Sequence, residues 1–146
     1  MTRLTAGDVA CWVLKTTRPP SAIAPGWTAP EHHLLDRCVR RSYRLDLIAP
    51  GQPCLLWLSG RDRPGVHAVG EIADGVEDRA DGPVVHLRLA LLAEPVLRAH
   101  LLRDPRMPDA EVLRMPAGSN PSWLTAEQFA AVLDRADPAG LGRWTA

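Results

Sequence analysis

The sequence offers little from which a metal, cofactor or covalent-catalysis site could be built. Its three cysteines, Cys11, Cys38 and Cys54, are odd in number and show no CxxC spacing, which disfavours zinc ligation or a disulfide framework and favours small buried apolar residues. The chain contains no G-x-G-x-x-G, Walker or G-x-S-x-G motif, and therefore no recognisable nucleotide-phosphate loop or nucleophile elbow. We expect no cofactor and no metal, although a spatial pair of a cysteine with a histidine is not visible in sequence.

Long apolar runs and net charge are also missing. No stretch approaches the roughly 18 apolar residues of a membrane span, and the N-terminus lacks the apolar region of a signal peptide, so we expect a cytoplasmic protein without a membrane partner. Seventeen basic and seventeen acidic residues cancel, so any nucleic-acid contact must be local. The 146 residues predict one domain, with a core at about 8–136 and a tail at 137–146, where Trp144 either packs back or marks a contact.

One stretch, 53–72, predicts a hairpin that could hold a ligand. Cys54–Leu58 is an unbroken apolar run, typical of a strand covered on both faces, and Val66–Ile72 alternates like a second strand. The intervening residues have the turn chemistry of a longer hairpin loop. Trp57, Ser59 and Gly60, at the end of the first strand, would bring a ring, a hydroxyl and open backbone to one place.

The remaining patterns predict a single mostly β architecture. Strands outnumber helices and follow one another, which favours an α+β fold: a small, mostly antiparallel barrel flanked by short helices. The predicted elements are a central strand at Asp8–Lys15, a helical turn at Glu31–Asp36, an exposed loop at Ala73–Pro83, a strand at Val84–Leu92, a short helix opened by Pro95, a possible strand at Glu111–Arg114, and a helix capped by Thr125 and Gln128.

Aromatic residues other than tryptophan are scarce, with one tyrosine and one phenylalanine beside five tryptophans. Trp27, Trp57 and Trp123 lie in loops or at strand ends, where a ring can stack on a flat base; such stacking contributes about 1–3 kcal/mol per base. A base inside a duplex is out of reach, so it must be extruded or single-stranded. The basic stretch Arg37–Tyr43 is either a set of solvated arginines or a strip that contacts phosphates.

The order of several short segments resembles the EVE domain, a member of the PUA-like superfamily that also contains the YTH domains. The matching segments span about residues 9–134 and are Trp12-Val13-Leu14-Lys15, Val39-Arg40-Arg41-Ser42-Tyr43, Leu56-Trp57-Leu58-Ser59-Gly60, Ala68-Val69-Gly70-Glu71 and Gly118-Ser119-Asn120 before the final helix. The resemblance implies a curved barrel whose pocket binds a modified or unusual base of DNA or RNA through an aromatic cage.

Carried over by position, the resemblance implies a set of ligand-binding residues drawn from four segments. They are Lys15, Thr16, Trp27, Arg40, Tyr43, Trp57, Ser59, Gly60, Ser119, Asn120 and Trp123. Arg37 stands where related sequences often have a cage tryptophan, so either Trp27 takes its place or the cage is incomplete. The loop after Asn120 is also one residue longer than usual, which affects the position of Trp123.

Three functions follow from these patterns. The first is a non-enzymatic reader of a modified or flipped nucleobase, with nucleic acid as partner. The second is a protein-interaction or regulatory module that keeps the fold with an altered or lost base pocket. The third is a small enzyme, which would need Cys38 to converge with a histidine in the pocket.

Overall fold

A mixed sheet organises residues 3–136, the part of the chain that the computed structural model describes. Its six strands are, in chain order, β1 (Cys11–Thr16), β2 (His32–Cys38), β3 (Pro53–Leu58), β4 (Gly65–Arg79), β5 (Gly82–Leu97) and β6 (Ser122–Leu124). They lie side by side in the order β2-β5-β4-β3-β1-β6. Only the β1–β3 pairing is parallel, and the other pairings are antiparallel. The predicted tail at 137–146, with Trp144, lies outside the described residues.

Short helices connect and cover the strands. They are α1 (Pro20–Ile23), α2 (Arg98–Leu101), α3 (Glu111–Arg114) and α4 (Ala126–Arg135), with 3₁₀ turns at Ala6–Asp8 and Tyr43–Leu47. The predicted cap of α4 is confirmed. The Gln128 backbone N–H donates to Thr125 Oγ1 at 3.2 Å, and the Thr125 N–H donates to Gln128 Oε1 at 2.9 Å. Within 3–136 no helix is long and apolar enough to cross a membrane.

The sheet buries apolar side chains on both faces, as the unbroken run in β3 predicts. Leu55 and Trp57 join a core that includes α4, whereas Cys54 and Leu56 join a second core on the opposite face. This alternation follows from the two-residue period of a strand. The second core holds Leu35 of β2 and Trp12 of β1. Three strands lie between β2 and β1 in the sheet, so the sheet curls around this core.

The α+β class and the mostly antiparallel pairing are confirmed, but the described strands do not close into a barrel. β2 and β6 are the two edges of the sheet. Beyond the end of β2, the Arg40 N–H donates to the carbonyl oxygen of Asn120 at 2.8 Å, just before β6 begins. Among the described residues this one backbone hydrogen bond stands where a closed barrel would have a ladder.

Several local predictions are wrong. The helical turn expected at Glu31–Asp36 is largely strand β2, paired with β5. The loop expected at Ala73–Pro83 is instead the far part of a long β4–β5 hairpin, which turns between Arg79 and Gly82. Glu111–Arg114 is helical and not extended. Pro95 belongs to β5, and the short helix begins later, at Arg98.

Candidate functional site

A cavity opens where the carboxyl ends of β1, β2 and β3 meet. The parallel β1–β3 pair is prolonged by the Ser59 N–H, which donates to the Thr16 carbonyl at 2.8 Å, so both strand ends reach the same rim. The cavity has a volume of about 690 Å³, within the range of small-molecule sites. Its lining residues are Lys15, Thr16, Thr17, Arg18, Arg37, Cys38, Val39, Arg40, Ser59, Pro116, Ala117, Gly118, Ser119 and Asn120.

Asn120 joins the two strands that form opposite sides of this cavity. Its Oδ1 accepts from the Lys15 N–H at 2.7 Å, and its Nδ2 donates to the Lys15 carbonyl at 3.0 Å. Nδ2 also lies 3.5 Å from the carbonyl oxygen of Cys38, at the end of β2. Because both amide hydrogens point at backbone carbonyls, the Asn120 side chain holds the cavity wall together and has no donor left for a ligand.

A second, smaller cleft of about 290 Å³ adjoins the first. The two share Arg40 and the segment Gly118–Asn120 in their linings. Here Arg44 forms a bidentate ion pair with Glu111, with Nη–Oε distances of 2.8 and 2.7 Å. Ser122 Oγ donates to the same carboxylate at 2.9 Å. The Arg44 hydrogen bond, helped by the Ser122 hydroxyl, lowers the pKa of Glu111, so its charge is matched within the protein.

Arg37 extends from β2 toward the end of β1. Its Nη1 donates to Thr16 Oγ1 at 3.2 Å, which links strands that are not neighbours in the sheet. Its Nε is buried and has no hydrogen-bond partner among the described residues. A buried donor left unpaired costs about 1–3 kcal/mol, so the described residues do not fully satisfy this guanidinium.

Lys15 lies at the junction of the two cavities. Its Nζ donates to the Met115 carbonyl at 3.3 Å. A Cβ added at Gly118 would lie 3.1 Å from the same carbonyl oxygen and 3.4 Å from Nζ, so glycine lets this loop approach the ammonium closely. Burial lowers the pKa of Lys15, opposed in part by the charge of Glu111.

The predicted aromatic residues do not line the cavity. Trp57 is 3% exposed and packs in the core beneath α4, and Trp27 is 8% exposed in the second core. The Trp27 ring contacts His33 at a centroid distance of 5.5 Å, and its Nε1 donates to the Glu31 carbonyl at 2.7 Å. Trp123 is half-buried beside the second core. No aromatic ring among residues 3–136 borders either cavity.

Tyr43 also lies away from the cavity. Its hydroxyl accepts from the Leu4 N–H at 2.9 Å, and the Arg3 guanidinium stacks on its ring at 4.0 Å. Gly60 follows Ser59 with a φ of +117° and has open space around it, but it does not line the cavity.

The structure thus brings together six of the predicted site residues. They are Lys15, Thr16, Arg40, Ser59, Ser119 and Asn120. The prediction missed Thr17, Arg18 and Gly118, named Arg37 only as a departure and named Cys38 only for the enzyme hypothesis, although all five line the cavity. Arg18 and Thr17 could have been found from their place in the polar run that follows the first strand.

The arginines of the basic stretch at 37–43 differ in whether their side chains form ion pairs. Arg41 pairs with Asp78 at 2.6 Å on the exposed surface, where such a pair contributes little. Arg40 forms no side-chain hydrogen bond or ion pair with the described residues, yet it borders both cavities. The sequence allows two interpretations of this stretch, either solvated arginines or a strip that contacts phosphates. Arg41 fits the first interpretation, and the position of Arg40 is compatible with the second.

Few side chains within 3–136 are placed to act as a nucleophile or to bind a metal. Cys38 is exposed at the cavity, whereas Cys11 and Cys54 are buried, and burial raises the pKa of both buried thiols. No histidine among the described residues lines the cavity beside Cys38. Within 3–136 no group of three or more histidine, cysteine or acidic side chains could hold a metal ion.

Comparisons with known proteins find likeness in structure only. No protein-family model matches the chain, and no curated protein matches it. A hypothetical protein from Leishmania major superposes with a TM-score of 0.68 at 15% identity, covering 88% of this chain and 95% of that one. A protein from Pseudomonas syringae gives a TM-score of 0.64 at 15% identity, covering 86% and 98%.

A human protein, THYN1, gives a TM-score of 0.60 at 13% identity, covering 88% of this chain and 99% of that one. Its structure was solved in complex with DNA that contains 5-methylcytosine. The DUF55 domain of human thymocyte nuclear protein 1 also matches, with a TM-score of 0.56. The chain shares the fold of these proteins. At these identities the likeness concerns the fold, and what this chain binds must be argued from its own site.

Proposed function

We propose that the protein is a non-enzymatic module that binds a nucleobase of DNA or RNA in the cavity at the ends of β1, β2 and β3. The observation that carries this proposal is the lining of the cavity. It contains four cationic side chains, those of Lys15, Arg18, Arg37 and Arg40, and no carboxylate. Hydroxyl groups of Thr17, Ser59 and Ser119 add donors and acceptors that can read the edge of a base.

The solved complex of THYN1 with 5-methylcytosine-containing DNA supports this proposal, since that protein has the same fold. The resemblance of the sequence to EVE domains points the same way, and membership of that family is part of the proposal. The base would enter from a single strand or by extrusion from a duplex, because a paired base cannot reach a cavity.

A base in this cavity would stack on guanidinium planes in place of aromatic rings. Trp27 and Trp57 are committed to the two cores. Arginine planes also stack on unpaired bases, and Arg37 and Arg40 both border the cavity. The planar partners would thus be cationic and would contact the face of the base by cation–π attraction.

Binding to oligonucleotides tests the proposal. Fluorescence anisotropy would compare single-stranded and duplex DNA and RNA, with and without a modified cytosine or adenine, at low and moderate salt. We expect binding that weakens as salt rises and that falls about 3–30-fold in Arg40→Ala. Arg103→Ala is the matched control, since Arg103 is exposed after α2 and borders neither cavity. Equal affinities for Arg40→Ala and the unaltered protein would contradict the proposed site.

The second candidate is a protein-interaction or regulatory module with an altered pocket. It is favoured by the absence of aromatic rings from the cavity lining within 3–136 and by the exposure of Leu34 and Met115, at 59% and 58%. Failure of the folded protein to bind any oligonucleotide at low salt would replace the first candidate with this one.

A further inference from the structure

The larger cavity is more positively charged than the chain as a whole. Acidic and basic residues are equal in number along the sequence, yet this cavity gathers cations and contains no acid among its described lining residues. The adjoining cleft contains one acid, Glu111, and Arg44 neutralises it. The surface around Arg40 therefore carries positive charge on both sides.

Most of the neighbouring cations already have partners. Lys15 Nζ donates to the Met115 carbonyl, and Arg18 Nη2 donates to the Ala22 carbonyl at 2.7 Å. Arg41 and Arg44 are ion-paired. These four have contacts that a ligand need not supply.

Arg37 and Arg40 differ from these neighbours. Arg37 contacts only a neutral hydroxyl, that of Thr16, and its Nε donor is buried without a partner. The Arg40 guanidinium has no side-chain partner within residues 3–136, while its backbone N–H fixes its position through Asn120. A preformed wall thus presents two guanidinium groups with donors that have no partner among the described residues: the exposed Arg40 and the buried Nε of Arg37.

An anionic group is the ligand chemistry that satisfies both. A guanidinium binds a carboxylate or phosphate with two parallel N–H donors, and such charge-assisted bonds are about twice as strong as neutral ones. A neutral base can stack on a guanidinium plane or accept hydrogen bonds at its edge, but it brings no negative charge to match the two cations. The cost of the unpaired Arg37 donor would be relieved once the side chain turned toward an anion.

We infer that the ligand enters the cavity with a negatively charged group, either the phosphate of a nucleotide or a carboxylate on a modified base, which Arg37 and Arg40 bind. This inference rests on the proposed base-binding function and narrows it. The two sources share one chemistry, and they predict different preferences among oligonucleotides. A carboxylated cytosine carries its charge on the base, whereas a terminal phosphate carries it on the strand end.

The test uses the full chain and a set of short single-stranded probes of one sequence at constant ionic strength. The probes carry a central cytosine, 5-methylcytosine or 5-carboxycytosine, each with a 5′-hydroxyl or a 5′-phosphate. Affinities come from fluorescence anisotropy in competition against one labelled strand. We expect one added anionic group to raise the affinity about tenfold or more, and tenfold is equivalent to about 1.4 kcal/mol of binding free energy. Preference for 5-carboxycytosine identifies the base as the source of the anionic group. Preference for the 5′-phosphate identifies the nucleotide phosphate as its source.

Three variants assign the gain to the two arginines. Arg37→Gln and Arg40→Gln should each reduce the anion preference to about threefold or less, and Arg37→Lys should retain part of it because charge remains without the fork. Arg103→Gln should keep the full preference. Circular dichroism and thermal melts check folding. If a variant does not fold, the comparison among probes on the unaltered protein still decides.

Two results would overturn the inference and separate it from the proposed function. Equal affinity for probes with and without the added carboxylate or terminal phosphate, with clear binding to both, would reject the anionic subsite and leave the base-binding module intact. An anion preference that survives in both Arg37→Gln and Arg40→Gln would also reject it. Absence of binding to every probe at low salt would instead reject the proposed function, and the inference with it.

Discussion

Replacing Asn120 tests whether its side chain is structural. In Asn120→Ala the backbone carbonyl still accepts from Arg40, but the Lys15 N–H and carbonyl lose partners at 2.7 and 3.0 Å. Each such bond contributes about 0.5–1.5 kcal/mol net, and a half-buried backbone group left unpaired adds part of its desolvation cost. We therefore expect a loss of about 2–4 kcal/mol in the free energy of unfolding. That corresponds to a fall in Tm of about 5–10 °C for a chain of this size.

Urea unfolding followed by tryptophan fluorescence measures this loss, and hydrogen exchange locates it. The Lys15 amide should lose protection ahead of the centre of β1. Asn120→Asp should recover only the acceptor half of the interaction. Ser119→Ala is the matched control, because its exposed hydroxyl has no hydrogen-bond partner among the described residues, and its effect should stay within about 0.5 kcal/mol. If Asn120→Ala unfolds within about 0.5 kcal/mol of the unaltered protein, the bridge is not stabilising.

Three further predictions concern the frame of the site. Gly70→Ala should destabilise β4 by more than about 2 kcal/mol in urea unfolding, because its Cβ would lie 1.9 Å from the carbonyl oxygen of Arg88. Thr125→Ala should cost about 1 kcal/mol by removing the cap of α4, measured by the same assay. Arg44 lowers the pKa of Glu111, so the pair stabilises the fold above the ordinary carboxyl range and this contribution is lost as pH falls through the folded-state pKa. Glu111→Gln should flatten that part of the pH–stability curve.

The sequence predicts best those elements whose signal is local. The strand pair of the β3–β4 hairpin, the strand within β5 and the capping box of α4 each depend on residues close together in the chain. Apolar runs on β3 follow from burial on both faces of the sheet. Such signals are read directly from periodicity and capping chemistry.

Elements that depend on distant partners are predicted poorly. β2 is an edge strand with most of its residues exposed, including Leu34, and its hydrogen bonds come from β5 about fifty positions later. The far end of the β4–β5 hairpin is polar because it extends beyond the core, so its composition is typical of a loop although its backbone is paired. Backbone pairing of this kind leaves no mark in the hydrophobic pattern.

The candidate site shows the same division. The sequence places Lys15, Thr16 and Ser59 at strand ends, and the parallel pairing of β1 with β3 brings them together. The burial of Trp57 could not be read from its place at a strand end, because the sequence does not show that α4 covers this face of the sheet. Its position in the chain is close to the site, but its side chain belongs to the core.

Hydrogen bonds hold the backbone that forms the walls of the cavity. Asn120 ties the end of β1 to the carbonyl at the end of β2, and the Arg40 N–H returns a bond to its backbone. Specificity must therefore come from side chains that project from this fixed frame. Arg37 and Arg40 are the cavity cations with donors that have no partner among the described residues, so exchanging their charge should change which ligand binds while the fold is retained.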